Sequence, residues 1–284
     1  MPFASANGAS LYNGASLYYE ATGAGFPLVF VHEFGGDYRS WEPQVRYFSR
    51  RYLCVTYNAR GYPPSDVPKE QSAYSQAIAT DDLVSVLRHL RIPSAHIVGL
   101  SMGGFATLYL GLRHAMLARS LVVAGCGYGS MPAQRAKWQD DSEALARLFE
   151  TEGAEVAAKQ YAAGPYRRPF RAKDPRGWDE FVRMMSEHSA VGCALTQRGV
   201  QKARPSVMDW EADLRKMTIP TLIIVGDSDD PCIEPNVFLK RTIPSSQLCV
   251  FPNSGHQVNL EEPDLFNRIV DGFLATVEAR ASHS

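Results

Sequence analysis

The sequence is poor in cysteine, and its cysteines are not arranged as a framework. The chain contains five of them, Cys54, Cys126, Cys193, Cys232 and Cys249, scattered over 284 residues and never in a C-x-x-C pair. A disulfide-stapled secreted domain or a zinc site needs paired or closely spaced cysteines. The pattern therefore predicts free thiols in a reducing compartment and no metal site.

Three further features are missing. The 29 Lys and Arg nearly balance the 30 Asp and Glu, so nothing indicates a nucleic acid or an anionic membrane as partner. No apolar run approaches the roughly 18 residues of a membrane span, and the first residues lack the pattern of a secretory signal. We expect a cytoplasmic monomer or homodimer whose partner is a small-molecule substrate.

Short apolar segments alternate with helical patterns along most of the chain. Six segments look like buried strands: 27–31, 53–57, 96–100, 121–124, 221–225 and 248–251. Helical patterns lie between several of them. Such alternation is typical of an α/β fold, with a mostly parallel central sheet covered by helices on both faces.

The middle of the chain departs from this alternation. Residues 127–213 contain no strong strand pattern and are rich in Ala, Arg and Glu, with helical patterns near 138–150, 154–163 and 178–188. We expect a core formed by residues 1–126 and 214–284, and a helical lid formed by residues 127–213, called the lid segment below. A lid would cover the carboxyl edge of the sheet, where open α/β sheets bind ligands.

One motif carries nucleophilic chemistry. Residues 99–103, Gly-Leu-Ser-Met-Gly, fit G-x-S-x-G directly after an apolar strand and before a helix of small residues. In a sharp strand-to-helix turn the glycines leave space, and Ser101 is exposed at the top of the sheet. The alternative is a purely structural Gly-Ser turn, which would need no catalytic partners.

Those partners follow in the required order. Asp229 follows the predicted strand 221–225, and His256 follows the predicted strand 248–251. A serine hydroxyl is a poor nucleophile until an imidazole takes its proton, and an acid orients that imidazole and stabilises its charged form. Asp227 and Asp230 lie in the same loop as Asp229, and Asp230 is the main rival for the role of acid.

Four segments together resemble the α/β-hydrolase superfamily: PLVFVHEFGGDYRSW (27–41), GLSMGG (99–104), PTLIIVGDSDD (220–230) and SGHQVNLEEPDLF (254–266). They are most similar to its lidded branch of esterases, enol-lactonases, carbon–carbon hydrolases and cofactor-free haloperoxidases. The resemblance implies a catalytic triad of Ser101, Asp229 and His256 that needs no cofactor. It also implies that the backbone amides of Phe34 and Met102 form the oxyanion hole.

Two positions differ from the usual pattern of that superfamily. Glu33 replaces the glycine of the usual His-Gly pair. Its carboxylate either faces solvent, as carboxylates generally do, or lines the pocket and orients a polar substrate or water. The second difference is the pair Pro63 and Pro64, which we interpret as stiffening a turn.

The remaining candidates are weaker. Trp138 and His188 in the lid segment, and Cys126 after a predicted core strand, are candidate substrate-binding residues. Each also has an ordinary interpretation, as packing in the lid, a satisfied histidine or a small buried hydrophobe. The hexapeptide NGASLY occurs twice, at 7–12 and 13–18, which we interpret as a local duplication in an exposed hairpin.

The sequence thus predicts a serine hydrolase that cleaves a carboxylic ester or lactone of a small organic substrate through an acyl-enzyme. The same triad would serve a carbon–carbon bond hydrolase or a cofactor-free perhydrolase or haloperoxidase. A non-catalytic module that binds a small ligand is the alternative of another class, although such a module does not need all three triad residues.

Overall fold

The computed structural model describes residues 3–6 and 14–281. Within these ranges the strands are β1 (Phe3–Ala6), β2 (Ala15–Thr22), β3 (Phe26–Val31), β4 (Tyr52–Tyr57), β5 (Ala95–Leu100), β6 (Ala118–Ala124), β7 (Thr221–Gly226) and β8 (Ser246–Phe251). They form one sheet in the order β1-β2-β4-β3-β5-β6-β7-β8. The strands β1 and β2 pair antiparallel, β2 pairs antiparallel with β4, and all other neighbours are parallel. The predicted α/β class is confirmed, and each of the six predicted strands lies inside an observed one.

The helices connect the strands and fill the lid segment. They are α1 (Glu42–Phe48), α2 (Gln76–His89), α3 (Met102–Arg113), α4 (Pro132–Ala162), α5 (Arg168–Lys173), α6 (Pro175–Ser186), α7 (Ala190–Thr196), α8 (Glu211–Leu214), α9 (Asp230–Thr242), α10 (Val258–Glu261) and α11 (Pro263–Ala281). A π-helical segment, Gln197–Lys202, follows α7. Among the described residues, none of the helices combines the length and the apolar character that crossing a membrane requires.

The sheet is buried on both faces, as its continuous apolar strands require. Along β3, Val29 and Val31 pack on one face with residues of α2 and α3. Leu28 and Phe30 point to the other face and pack with residues of α1 and α11. Successive side chains of a strand point to opposite faces, so one short apolar segment supplies both layers of the core.

The helices of the lid segment have a third apolar cluster of their own, which includes Phe149 of α4 and Phe181 of α6. Phe34 and Tyr62, from loops that follow β3 and β4, belong to the same cluster. Gly153 interrupts α4 with a φ of +81°, which separates two helical stretches that the sequence also predicts as separate. Because Phe34 and Tyr62 pack in the apolar cluster of the lid segment, they connect this segment to the carboxyl edge of the sheet.

The second copy of the repeated hexapeptide is mostly buried where the structure describes it. The first copy, 7–12, lies outside the described residues. In the second copy, Ala15 and Leu17 lie in β2, are buried, and pack in the same core cluster as Ala4 of β1. The expectation of exposure is wrong for this copy because alternate apolar side chains of β2 face the core.

Candidate active site

Ser101 occupies a strained turn between β5 and α3. Its backbone has φ 55° and ψ −111°, in a region that non-glycine residues adopt at a cost of about 1–3 kcal/mol. The Ser101 amide donates a hydrogen bond of 2.8 Å to the carbonyl of Ala124 at the end of β6. The strain is therefore fixed by the sheet, and it places Ser101 at the amino end of α3, where backbone amides favour negative charge.

Two glycines make this turn possible. A Cβ added to Gly99 would lie 2.2 Å from the carbonyl oxygen of Gly103, and one added to Gly103 would lie 2.0 Å from that of Val31. Both contacts are with backbone atoms, which cannot rotate away. The two glycines of the G-x-S-x-G motif are therefore required by the close approach of α3 to β3 and β5.

His256 and Asp229 form a buried pair. The Nδ1 atom of His256 lies 2.8 Å from Oδ2 of Asp229, and Asp229 is 1% exposed. Asp230, the rival acid, is exposed at the start of α9. Since a carboxylate only accepts, Nδ1 of His256 carries the proton, and Nε2 keeps the lone pair that a general base needs.

The loop that carries His256 is fixed on both sides. The amides of Gly255 and Gln257 donate to the two carboxylate oxygens of Glu261, at 2.7 Å and 3.0 Å. The amide of His256 itself donates to the carbonyl of Tyr166 in the lid segment, at 2.9 Å. The position of the imidazole thus depends on contacts with both α10 and the lid segment.

The two amides expected to form the oxyanion hole belong to Phe34 and Met102, whose side chains pack in the same apolar cluster. Met102 is the first residue of α3, whose first amides have no acceptor within the helix. Phe34 lies in the loop after β3, and its carbonyl accepts a hydrogen bond of 2.9 Å from the hydroxyl of Tyr62. This bond fixes the peptide that follows Phe34, and the role of both amides remains a prediction.

A cavity of about 520 Å³ contains Ser101, Asp229 and His256 in its lining. Trp138, one of the predicted substrate-binding residues, also lines it, and its indole donates to the carbonyl of Gln201 at 3.2 Å. The lid segment supplies most of the remaining wall. A serine in a strained turn, an imidazole paired with a carboxylate and space for a small organic molecule are therefore found together.

Glu33 is buried, so the alternative that it faces solvent is wrong. Glu33 is also absent from the lining of the cavity in the described residues, so its role as a substrate-binding residue stays a prediction. Its carboxylate lies 2.9 Å from the guanidinium of Arg167 and accepts a hydrogen bond of 2.9 Å from the side-chain amide of Gln257. Burial would raise its pKa, but Arg167, His256, a backbone amide and Gln257 outweigh burial and lower the pKa below its ordinary value. Arg167 lines the cavity and pairs with Glu33.

Cys126 and His188 lie away from the lining of the cavity as far as the chain is described. Cys126 is fully buried, and burial raises the pKa of its thiol to about 12, so the thiol stays protonated at neutral pH. His188 is buried with its Nε2 3.3 Å from Oδ2 of Asp37. The position of Cys126 corresponds to its ordinary interpretation as a small buried hydrophobe, whereas Nδ1 of His188 is buried without a hydrogen-bond partner in the described residues.

Asp229, Cys232 and His256 bring ligand atoms within 4.8 Å of one another, a spacing that a metal site would also have. Metal binding by cysteine requires the thiolate. Burial, together with the charge of Asp229, raises the pKa of the Cys232 thiol well above its ordinary value. The neutral thiol instead donates to the carbonyl of Gly125 at 3.4 Å.

Sequence reasoning missed three charged residues of this region. Arg167 and Arg204 line the cavity, and Glu261 holds the His256 loop. The two arginines lie in the lid segment, where no motif marks them. Only Glu261 could have been found from the sequence, because it lies within SGHQVNLEEPDLF (254–266), one of the segments that resemble the superfamily.

The family model described as alpha/beta hydrolase fold matches residues 27–263, and the chain belongs to this family. The predicted superfamily is confirmed. Among curated proteins, 3-oxoadipate enol-lactonase 1 of Acinetobacter baylyi is 29% identical over 253 residues, which cover 88% of this chain and 89% of that protein.

Two solved structures show the same fold at low sequence identity. The enol-lactonase from Burkholderia xenovorans has a TM-score of 0.81 at 22% identity, and the match covers 96% of this chain and all of that one. A thermophilic esterase from Thermogutta terrifontis has a TM-score of 0.84 at 22% identity, and the match covers 98% of this chain and 99% of that one.

Proposed function

We propose that the protein hydrolyses a carboxylic ester or lactone through an acyl-enzyme formed on Ser101. The observation that carries the proposal is that Ser101, in its strained turn, opens into the same cavity as the paired His256 and Asp229. The similarity to an enol-lactonase and an esterase supports the same class of reaction.

The first half of the reaction forms the acyl-enzyme. Nε2 of His256 takes the hydroxyl proton of Ser101 as Oγ bonds to the substrate carbonyl carbon. Negative charge develops on the carbonyl oxygen, and the amides of Phe34 and Met102 stabilise it, each by a factor of about 100 to 1,000 in rate. The imidazolium then gives its proton to the departing alkoxide as the carbon–oxygen bond breaks.

The second half releases the acid. His256 takes a proton from water, whose oxygen attacks the acyl carbon, and returns the proton to Oγ as the acyl-enzyme bond breaks. Asp229 remains ionised throughout and stabilises the imidazolium formed in each half. The net change is one water consumed per ester bond cleaved.

Labelling with a fluorophosphonate tests the nucleophile, with the protein analysed by intact mass and peptide mapping. We expect one adduct, on Ser101, and hydrolysis of short 4-nitrophenyl esters. The Ser101→Ala variant should lose both while it keeps the circular dichroism spectrum of the wild type.

A folded wild-type protein without an adduct and without turnover would contradict the proposal and favour the ligand-binding module. An adduct on Ser101 without ester hydrolysis would favour the carbon–carbon hydrolase or perhydrolase reactions. Cleavage of a vinylogous diketone, or bromination with peroxide and acetate, then distinguishes these two.

A further inference from the structure

Arg204 places a buried positive charge on the wall of the active-site cavity. Its side chain lines the cavity and is 2% exposed. The guanidinium donates to the carbonyl of Tyr128 at 2.7 Å and to the side-chain oxygen of Gln201, and it stacks on the ring of Phe105, 3.8 Å from its centroid. Its Nε–H has no hydrogen-bond partner in the described part of the chain.

The charge of Arg204 has no carboxylate to balance it. The two other arginines that are buried in the described residues each pair with one: Arg60 with Asp82 at 2.6 Å and Arg167 with Glu33 at 2.9 Å. Around Arg204, within residues 3–6 and 14–281, no carboxylate lies at salt-bridge distance.

The immediate neighbour of Arg204 makes the imbalance larger. The guanidinium of Arg135 donates to the backbone carbonyl of Arg204, so a second positive charge lies nearby. Burial lowers the pKa of Arg204 to about 10, which still leaves the guanidinium charged at neutral pH. Buried charges in proteins are normally paired, because an unpaired one is costly.

The unpaired charge is close to the nucleophile. Phe105, on which the guanidinium stacks, lies one helical turn after Ser101, and its amide donates to the carbonyl of Ser101 at 3.0 Å. A ligand that reaches from Ser101 along the cavity wall therefore meets Arg204. Guanidinium groups bind carboxylates by strong, charge-assisted hydrogen bonds.

We propose that the substrate carries a free carboxylate in addition to the ester or lactone group, and that Arg204 binds this carboxylate. The inference rests on the proposed function for the reaction at Ser101, and it adds the substrate class. The ligand supplies the counter-charge that the protein lacks.

Two 4-nitrophenyl esters of equal chain length test the proposal, the neutral pentanoate and the anionic hemiester of glutaric acid. For the wild type we expect kcat/KM to be at least 10-fold higher for the glutarate hemiester. Arg204→Gln should lower the ratio of the two values by about 10- to 100-fold, and Arg204→Lys, which keeps the charge, by less.

The matched control is Arg183→Gln, which removes the same charge from the lid segment. Arg183 lies on α6, is largely exposed, and lines a groove that does not contain Ser101. For Arg183→Gln, the ratio of kcat/KM for the glutarate hemiester to kcat/KM for the pentanoate should equal that of the wild type. An Arg204→Gln protein that is folded and keeps the wild-type ratio would overturn the proposal, and so would a wild type that prefers the pentanoate.

Thermal unfolding with free glutarate separates this proposal from the proposed function. Saturating glutarate should raise the Tm of the wild type and of Ser101→Ala by about 3 °C or more, and that of Arg204→Gln by much less. If neither ester is cleaved but this shift is found, the hydrolase proposal fails and the carboxylate site stands. If Arg204→Gln does not fold, the test uses Arg204→Lys and the preference of the wild type for the glutarate hemiester. If the wild type shows neither this preference nor a rise in Tm with glutarate, the carboxylate site is overturned.

Discussion

The carboxylate of Glu33 lies 2.9 Å from the guanidinium of Arg167, in an ion pair whose two side chains are 2% and 7% exposed. The pair joins the loop after β3 to the lid segment. Gln257, the residue after His256, donates to the same carboxylate. One buried charge pair therefore connects the loop after β3, the lid segment and the loop that carries His256.

Glu33→Gln should destabilise the fold strongly, because it leaves the charge of Arg167 buried and unpaired. Removing one partner of a buried ion pair costs about 3–5 kcal/mol, which urea unfolding measures. The control is Glu187→Gln, which breaks the partly exposed pairs of Glu187 with Arg183 and Arg39 and should cost about 1 kcal/mol or less. Equal stabilities for the two variants would show that the buried pair is not needed.

Asp229→Asn should lower kcat by about 10³- to 10⁴-fold, because an amide at this position favours the wrong tautomer of His256. Asp230→Asn is the matched control in the same loop, and we expect its kcat to remain within a few-fold of the wild type. Steady-state hydrolysis of a 4-nitrophenyl ester measures both. A large loss in the Asp230 variant and a small one in the Asp229 variant would reverse the assignment of the acid.

Gly103→Ala should prevent folding or destabilise it by several kcal/mol, since the new Cβ would lie 2.0 Å from the Val31 carbonyl oxygen. Gly272→Ala on α11 is the control, because its new Cβ meets nothing within 4 Å. Alanine is the better helix former, so this variant should be as stable as the wild type or about 0.5–1 kcal/mol more stable. Thermal unfolding compares the two, and a Gly103→Ala protein with the Tm of the wild type would refute the steric argument.

His32 makes the fold sensitive to acid. Its Nε2 accepts from the amide of Ala59 at 3.0 Å, and its Nδ1 lies 2.7 Å from the carbonyl of Glu33. Both bonds suit only the neutral ring with its proton on Nδ1. Burial lowers the pKa of His32 to about 4, against about 6.5 in the unfolded chain.

Below pH 6.5 the unfolded chain therefore binds more protons than the folded one at this position, and stability falls as the pH falls towards 4. A single group contributes at most about 1.4 kcal/mol per pH unit. Urea unfolding at pH 7 and pH 5 should show a smaller loss for His32→Gln than for the wild type. An identical loss in the two proteins would contradict this role.

The strands and the serine turn could be predicted from the sequence because their causes are local. The segment 27–31 alternates its side chains between two faces. The glycines on either side of Ser101 leave room for backbone atoms that come close, either a few residues away or on the neighbouring strand. The positions of Asp229 and His256 could be predicted for the same reason, because each follows directly after a strand that the local apolar pattern indicates.

The surroundings of Glu33 and Arg204 could not be predicted because their causes are remote in the sequence. The partner of Glu33 is 134 residues away, and the general tendency of carboxylates to face solvent gave the wrong expectation for it. Arg204 belongs to the lid segment, where pocket positions depend on how several short helices pack. No local pattern distinguishes it from the other arginines of that segment.

The hydrogen bond from the His256 amide to the Tyr166 carbonyl has a mechanical consequence. A lid segment that swung away from the sheet would break this bond and leave the His256 loop without its support from that side, although Glu261 would still hold the two neighbouring amides. The imidazole would therefore lose one of its two supports whenever the cavity opened on the lid side. Lys137 and Asp141 line the cavity and are exposed, so the cavity reaches the surface beside them even with the lid segment in place.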